Sequence, residues 1–323
     1  MKAVYIEQTG GPEVLKFGDQ PKPEAGAGQA LVKIAASGVN FIDTYHRTGL
    51  YKLPLPAILG SEGAGAVEAI GEGVKSVKPG DRVAWAMTRG SYAEYAAVPE
   101  AQLVKIPDDV SFEDAAAVML QGMTAHYLTH STFPLKAGQI ALVHAAAGGT
   151  GRLVVQMAKM AGARVIATAG SADKAKIARE AGADETILYR DQDFAEETRR
   201  LTGGKGVDVV YDSVGADTFL KSIDSLRPRG MMVTFGNASG PVPAIQPLLL
   251  TQKGSLFLTR PSLANHIATR EELEWRASDL LRWLEEKKLT LLVGHVYPLA
   301  EAAQAHRDLE GRKTTGKLLL AVS

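Results

Sequence analysis

The residues best placed to do chemistry in this chain are small ones, Ala145-Ala146-Ala147-Gly148-Gly149-Thr150-Gly151. Read as A-x-G-x-x-G, the run puts Ala146, Gly148 and Gly151 at the positions a dinucleotide site requires. Small residues there allow a tight turn, a close approach of backbone to pyrophosphate, and close packing of helix on strand. A helix opening at that point would aim unpaired N–H groups and the positive end of its dipole at phosphate. A glycine cluster alone is weak, because any strand-to-helix turn can use glycine. Its setting is what carries the reading. Before it runs Ile140-Ala141-Leu142-Val143-His144-Ala145, apolar enough for a strand buried on both faces. After it, over residues 152–161, Leu153, Val154, Met157, Ala158 and Ala161 recur on one helical face.

The end of the next strand selects the dinucleotide. Arg164-Val165-Ile166-Ala167-Thr168 reads as that strand, and NAD-specific sites carry Asp or Glu about 20 residues past the turn to hold the ribose hydroxyls. Here the strand runs out through Ala169, Gly170 and Ser171 with no acid, and Lys174 follows. A missing carboxylate removes repulsion toward a 2′-phosphate, while a hydroxyl and an ammonium offer it donors. The expectation is NADPH rather than NADH. The plainer alternative makes Lys174 one more solvated helix lysine.

Around these residues the chain changes texture twice. Up to about residue 112 it is rich in short β-type runs, such as Ala30-Leu31-Val32-Lys33-Ile34, Gly65-Ala66-Val67-Glu68-Ala69-Ile70 and Arg82-Val83-Ala84-Trp85. Turn signals such as Lys78-Pro79-Gly80-Asp81 separate them. A mostly β domain with a partly open barrel is expected. From Gly138 strand and helix alternate. A helix is expected over 172–180, and further strands at Val207-Asp208-Val209-Val210-Tyr211, Met231-Met232-Val233-Thr234-Phe235 and Ser255-Leu256-Phe257-Leu258-Thr259. That alternation predicts an α/β, doubly wound, six-stranded parallel sheet. After about 264 the texture is mixed: Leu273, Ala277, Leu280 and Leu284 share a helix face, and Leu318-Leu319-Leu320-Ala321-Val322 reads as a closing strand. Lacking a partner in the six-stranded sheet, that strand is expected to join the first domain. The domains are then 1–122 with 265–323, and 123–264. A length of 323 residues suits two cores.

Composition removes several classes of function. Lys+Arg and Asp+Glu each number 36, so no net field steers nucleic acid or an anionic membrane toward the chain, although a local basic patch stays open. With no cysteine, disulfides, thiolate nucleophiles and cysteine-bound zinc are excluded. The N-terminal Met1-Lys2-Ala3-Val4-Tyr5-Ile6-Glu7 reaches an acid before an apolar core of signal-peptide length. The uncharged stretch 115–135 is broken by Gln121, Gly122, Thr124, His126, His130 and Pro134, and reads as a buried helix rather than a membrane span. A cytoplasmic location is expected.

By this point the residues carry a family likeness along essentially the whole chain. The stretches are Ala36-Ser37-Gly38-Val39-Asn40-Phe41-Ile42-Asp43, Leu59-Gly60-Ser61-Glu62-Gly63-Ala64-Gly65, Lys78-Pro79-Gly80-Asp81-Arg82-Val83 and Gln121-Gly122-Met123-Thr124-Ala125. The glycine turn, Tyr211-Asp212-Ser213-Val214-Gly215, Phe235-Gly236-Asn237-Ala238-Ser239 and Thr259-Arg260-Pro261-Ser262 complete them. Together they resemble the zinc-independent, ζ-crystallin-like quinone oxidoreductases of the medium-chain dehydrogenase/reductase superfamily. The resemblance implies a GroES-like substrate domain, a Rossmann domain and an active cleft between them. Zinc-bearing relatives hold metal through Cys, a Gly-His-Glu motif and a further ligand. Here Ser61 replaces the His, no Cys exists, and residues 85–95 pass straight through where the structural-zinc loop would sit. The seven histidines offer no ligand-spaced cluster; His46 near Asp43 reads as a surface or packing residue. Without a Lewis acid, oxidation of an alcohol is disfavoured and reduction of an electron-poor acceptor is not.

The resemblance also implies roles for particular residues. Asn40 would contact the nicotinamide end, with Asp43 and Thr124 nearby. Gly148, Gly149 and Thr150 would hold pyrophosphate, and Gly170, Ser171, Lys174 and Tyr189 the adenosine phosphate. Ser213, Phe235, Gly236, Asn237, Arg260, Ser262 and Arg312 would complete the cofactor wall. Tyr45 and Tyr51 would face the acceptor, as catalytic groups with Asn40 or as ordinary packing. The activity implied is NADPH-dependent reduction of a quinone, with the double bond of an α,β-unsaturated carbonyl as the alternative. A cofactor-binding protein with a structural or RNA-binding role is the rival from another class. A homodimer through the sheet edge at 255–259 is implied as well.

Overall fold

Where short apolar runs are fenced by Gly and Pro turns, the chain folds as strands. The computed structural model describes residues 1–322. Two compact units divide them, one of Met1–Met123 with the segment from His266 onward, the other Thr124–Asn265. The first begins with β1 (Lys2–Ile6), β2 (Lys16–Asp19), β3 (Gln29–Val39), α1 (Phe41–Thr48), β4 (Ala57–Ile58), β5 (Glu62–Ile70), β6 (Arg82–Ala86), β7 (Tyr95–Pro99) and β8 (Val104–Lys105), and α2 (Phe112–Tyr127) runs from it into the second. The second holds β9 (Ile140–Val143), α3 (Gly149–Met160), β10 (Arg164–Ala169), α4 (Ala172–Glu180), β11 (Glu185–Leu188), α5 (Phe194–Leu201) and β12 (Val207–Asp212). It continues with α6 (Phe219–Asp224), β13 (Leu226–Thr234), α7 (Leu248–Gln252) and β14 (Phe257–Thr259). Then follow α8 (Leu263–His266), α9 (Arg270–Glu285), β15 (Val293–Pro298), α10 (Ala302–Glu310) and β16 (Lys317–Ala321).

In the second unit the strand order among the described residues is β11-β10-β9-β12-β13-β14, every pair parallel. The chain winds outward from β9 through β10 to β11, returns to β12, and winds the other way. The reversal falls between β9 and β12, and in such sheets ligands bind at the carboxyl ends of the strands beside it. The glycine turn leaves β9 at that point. The core is built from Leu142, Ile166, Val210, Phe219, Ile223 and Met232 between sheet and helices.

The first unit is a mostly β body around β3, which is eleven residues long. Its larger sheet runs β15-β16-β3-β5-β6-β8, with β7 also paired to β3. The closing strand β16 lies antiparallel to β3, Leu318 opposite Val39 and Leu320 opposite Ser37. Trp85, Tyr92, Val32 and Leu320 lie in its core. Boundaries differ from the sequence reading where backbone rather than hydropathy decides. Helix α3 opens at Gly149, before its apolar spacing begins. Ser255 takes a left-handed φ of 55°, so β14 starts only at Phe257. The sixth strand is Glu185–Leu188, in which Ile187 is buried and its neighbours are half-buried. Among the described residues no helix is long and apolar enough to cross a membrane.

Candidate functional site

The turn at the reversal point is built by backbone contact. Gly148 is extended and caps α3, which no side chain caps. The first N–H groups of that helix are therefore left to whatever ligand lies beyond them. The left-handed position falls on Ala145, at φ 50°, rather than on a glycine. A non-glycine residue there stores strain of the kind that gathers at binding sites. A side chain on Gly151 would run into the Ala145 carbonyl oxygen, and one on Gly148 would stand 3.2 Å from it. The helix thus rests directly on the end of β9. Gly149 and Thr150 occupy its first turn.

A second loop leaves β10. The Ser171 hydroxyl caps α4 by accepting the Lys174 N–H at 3.3 Å. The Tyr189 hydroxyl closes over Gly170, so near that a Cβ there would sit 2.7 Å from it. Gly170, Ser171, Lys174 and Tyr189 are in this way brought together, with Tyr189 partly exposed. A third group forms beyond β12 and β13. Phe235 N–H donates to the Asp212 carbonyl at 2.8 Å. Arg260 Nη1 donates to Gly236 O at 3.3 Å. Oriented to satisfy both its ends, the Asn237 amide accepts from Arg260 Nη2 at 3.0 Å and donates to Gly236 O at 2.9 Å. A side chain on Gly236 would collide with Ser213 O. Ser262 is exposed two residues past Arg260, and Thr124 is buried in α2. These features fit a phosphorylated dinucleotide: glycine contacts a Cβ would destroy, uncapped helix donors, and no acid at the β10 exit.

The first unit holds the remaining candidates. Tyr45 packs edge-on against Tyr51, ring centroids 5.3 Å apart, and lies tilted against Phe41 at 6.2 Å. Tyr45 is buried and Tyr51 exposed. Arg312 is exposed just after α10, in left-handed backbone at φ 54°. Asn40 and Asp43 are buried, at 3% and 0% exposed, and their side chains are engaged inside this unit. Asn40 caps α1, and its amide is turned into the interior. Its Nδ2 donates to Glu62 Oε2 at 2.9 Å and Gly38 O at 3.2 Å, and its Oδ1 accepts from Lys317 Nζ at 2.8 Å. Asp43 has no exposed surface. It accepts from Asn40 N–H at 2.9 Å, Ser61 Oγ at 2.7 Å and Tyr92 Oη at 3.2 Å. Both oxygens are thereby committed to holding α1.

Behind Asp43 the bonds run on to the surface. Tyr92 Oη meets His306 Nε2 at 3.0 Å, and His306 Nδ1 meets Arg47 Nη1 at 3.1 Å. Arg47 also forks onto Glu310, at 2.7 and 2.9 Å. Because arginine only donates, Nδ1 must accept, so the imidazole is neutral with its proton on Nε2. Burial and the neighbouring Arg47 charge push His306 down to about 3. Burial lifts Asp43 to about 6, against the pull of its hydrogen bonds and Lys317. Burial and the Asp43 charge raise the Tyr92 phenol well above its usual range. Sequence reading missed Lys317, Tyr92, His306 and Arg47. Each lies in an ordinary-looking segment, and only their convergence is informative.

The donor set does not fit a catalytic metal. Glu62 is committed to Lys317 Nζ at 2.5 Å and to the Leu120 N–H at 2.5 Å, and Ser61 to Asp43. Among the described residues no group of three or more His, Asp or Glu could hold a metal ion.

A doubly wound sheet with a glycine turn at its reversal point, together in one chain with a β unit closed by the C-terminal strand, defines a medium-chain dehydrogenase/reductase. Comparison with known proteins agrees. The alcohol dehydrogenase GroES-like domain matches residues 26–108, and the zinc-binding dehydrogenase domain matches 149–283. A quinone oxidoreductase of Pseudomonas aeruginosa is 47% identical, covering 99% of both chains. A 2-haloacrylate reductase of a Burkholderia species is 42% identical over 98% of both. The crystal structure of Escherichia coli quinone oxidoreductase complexed with NADPH is 43% identical, covers all of both chains, and superposes with a TM-score of 0.98. The chain belongs to the quinone oxidoreductase family of that superfamily.

Proposed function

We infer that this protein is an NADPH:quinone oxidoreductase that works without a metal. The observation that carries the reading is the pair of loops at the reversal point. One is a glycine turn whose helix offers free backbone donors; the other is a β10 exit with Ser171 and Lys174 in place of an acid. The relative crystallised with NADPH supports the same cofactor here. When bound, NADPH supplies the hydride or electrons. The chain's own residues hold and orient it. Gly148, Gly149 and Thr150 take the pyrophosphate. Gly170, Ser171, Lys174 and Tyr189 surround the 2′-phosphate, while Ser213, Phe235, Gly236, Asn237, Arg260 and Ser262 wall the remainder, with Thr124 and Arg312 at its margins. Asn40 and Asp43 position α1, which carries Tyr45 toward the acceptor beside Tyr51. Either phenol can donate a proton, and only substitution tells donor from packing residue.

The assay is NADPH consumption by the purified protein with 9,10-phenanthrenequinone and, separately, an enone, each repeated with NADH. Turnover with quinone and NADPH is expected. Consumption with neither acceptor would remove the reading. Reduction of a conjugated double bond is the second reading, favoured by the likeness to a 2-haloacrylate reductase. Turnover with enone alone would select it. A structural or RNA-binding role has less support, since acidic and basic residues balance.

A homodimer and a cytoplasmic location belong to the same proposal. Strand β14 is a sheet edge with Phe257 and Leu258 exposed, an arrangement that invites a second strand. A chain without cysteine gains nothing from an oxidising compartment.

A further inference from the structure

Three loops hold the cofactor in the reading above, and each leaves a different strand. Something must set their spacing. Behind them lies a set of buried polar side chains, His144, Thr168, Asp212 and Ser222, none more than 1% exposed. His144 stands at the end of β9, immediately before the glycine turn. Its Nδ1 meets Thr168 Oγ1 of β10 at 2.9 Å, and its Nε2 meets Ser222 Oγ of α6 at 2.8 Å. Ser222 Oγ also donates to Asp212 Oδ2, at the end of β12, at 3.0 Å. Since Ser222 spends its proton on Asp212, it must accept from His144 Nε2–H. Thr168 must then donate to Nδ1. The imidazole is neutral, and burial favours that form. Asp212 is itself saturated by Thr218 Oγ1 and the N–H groups of Val214 and Gly215, at 2.7, 2.8 and 3.1 Å. Phe194 covers the imidazole edge-on at 4.8 Å.

This network joins the ends of β10, β9 and β12, three neighbours in the sheet. The backbone repeats the links: Ala146 N–H donates to Thr168 O at 3.3 Å and His144 N–H to Tyr211 O at 3.1 Å. Thr168 is the critical joint. Its carbonyl holds the glycine turn, its hydroxyl holds His144, and three residues later Ser171 caps α4, whose first turn carries Lys174.

We propose that His144, through Thr168 and Ser222, is a positioning residue that sets the distance between the glycine turn and the start of α4 at Ser171 and Lys174, and so the discrimination between NADPH and NADH. This inference rests on the NADPH reading. Both dinucleotides use the turn, but only NADPH spans from the turn to a phosphate held at the second loop. A shift of β10 relative to β9 therefore costs NADPH more than NADH.

The test measures dissociation constants for both dinucleotides by fluorescence titration of Thr168→Val, Thr168→Ser and His144→Phe, with thermal melting as the check on folding. Valine keeps the shape of threonine and removes its donor. Thr168→Val is expected to weaken NADPH by about 10-fold, the scale of one buried hydrogen bond, and NADH by no more than about 2-fold. Thr168→Ser restores the donor and is expected to restore the ratio. His144→Phe lowers the ratio in the same direction. Should Thr168→Val fail to fold, Ser222→Ala, which cuts the other side of the imidazole, serves in its place. Equal weakening of the two dinucleotides, or failure of serine to rescue, would overturn the proposal while leaving the cofactor reading intact. A wild-type protein with no preference for NADPH would overturn both.

Discussion

Lys317 Nζ lies 2.5 Å from Glu62 Oε2, with the two side chains 3% and 0% exposed. One comes from the last strand and the other from β5, and Asn40 bonds to both. Room for the pair depends on Gly38, where any side chain would collide with the Glu62 carboxylate. Taking one partner away strands an unpaired charge in a dry interior. Lys317→Met is expected to destabilise the fold by about 3–5 kcal/mol, whereas Lys317→Met with Glu62→Leu recovers most of that loss. Urea unfolding of wild type and both variants is the measurement. A single variant as stable as wild type would show that the ion pair does not hold this end of the sheet.

Lys174 is the one ammonium expected at the 2′-phosphate. Replacing it with glutamate puts a like charge where a counter-charge stood. The KM for NADPH is expected to rise about 10-fold or more, and that for NADH to change by less than about 2-fold. Equal changes would return Lys174 to the role of a solvated helix residue.

Gly151 allows α3 to seat against the Ala145 carbonyl. Gly151→Ala must push the helix off the end of β9, and with it the N–H groups meant for pyrophosphate. NADPH and NADH are both expected to bind at least about 10-fold more weakly, because both share the pyrophosphate. Calorimetric titration with each dinucleotide tests this. A loss confined to NADPH would place the pyrophosphate elsewhere.

His306 is held at about 3, against 6.5 for a free imidazole. Above pH 6.5 the folded and unfolded forms are both neutral, and its contribution to stability is fully present. As pH falls from 6.5 toward 3, the unfolded chain takes up a proton that the folded one refuses. Stability then drops by up to about 1.4 kcal/mol per pH unit. Asp43, raised from 3.8 to about 6, works in the opposite sense between those two values. The histidine effect is therefore best isolated by difference. The stability advantage of wild type over His306→Gln is expected to be largest above pH 6.5 and to shrink steadily toward pH 5. Unfolding curves at pH 7.5, 6.5, 5.5 and 5 give the comparison, and a gap independent of pH would contradict a neutral buried imidazole.

Phe257 is exposed on the edge strand β14. Phe257→Pro removes a backbone donor from that edge and bends it away from pairing. Light scattering is expected to show a dimer for the wild type and a monomer for the variant. An unchanged mass would place the dimer contact on another surface.

Much of this protein was determined by sequence alone. The alternation after Gly138 specified the parallel sheet, the small residues at 146, 148 and 151 located the turn, and the acid-free exit at 169–171 pointed to NADPH. Such features are local, because strand and helix periods and turn chemistry act within a few residues of one another. What only the tertiary structure decided is which distant groups meet. The family resemblance implies a place beside the cofactor for Asn40 and Asp43. The fold engages their side chains in the interior, Asn40 with a lysine 277 residues away and Asp43 with Tyr92. His144 reads as one more strand residue until β10, α6 and β12 bring Thr168, Ser222 and Asp212 around it. A buried polar atom must find a partner, but the pattern that buries it says nothing of which partner the topology delivers.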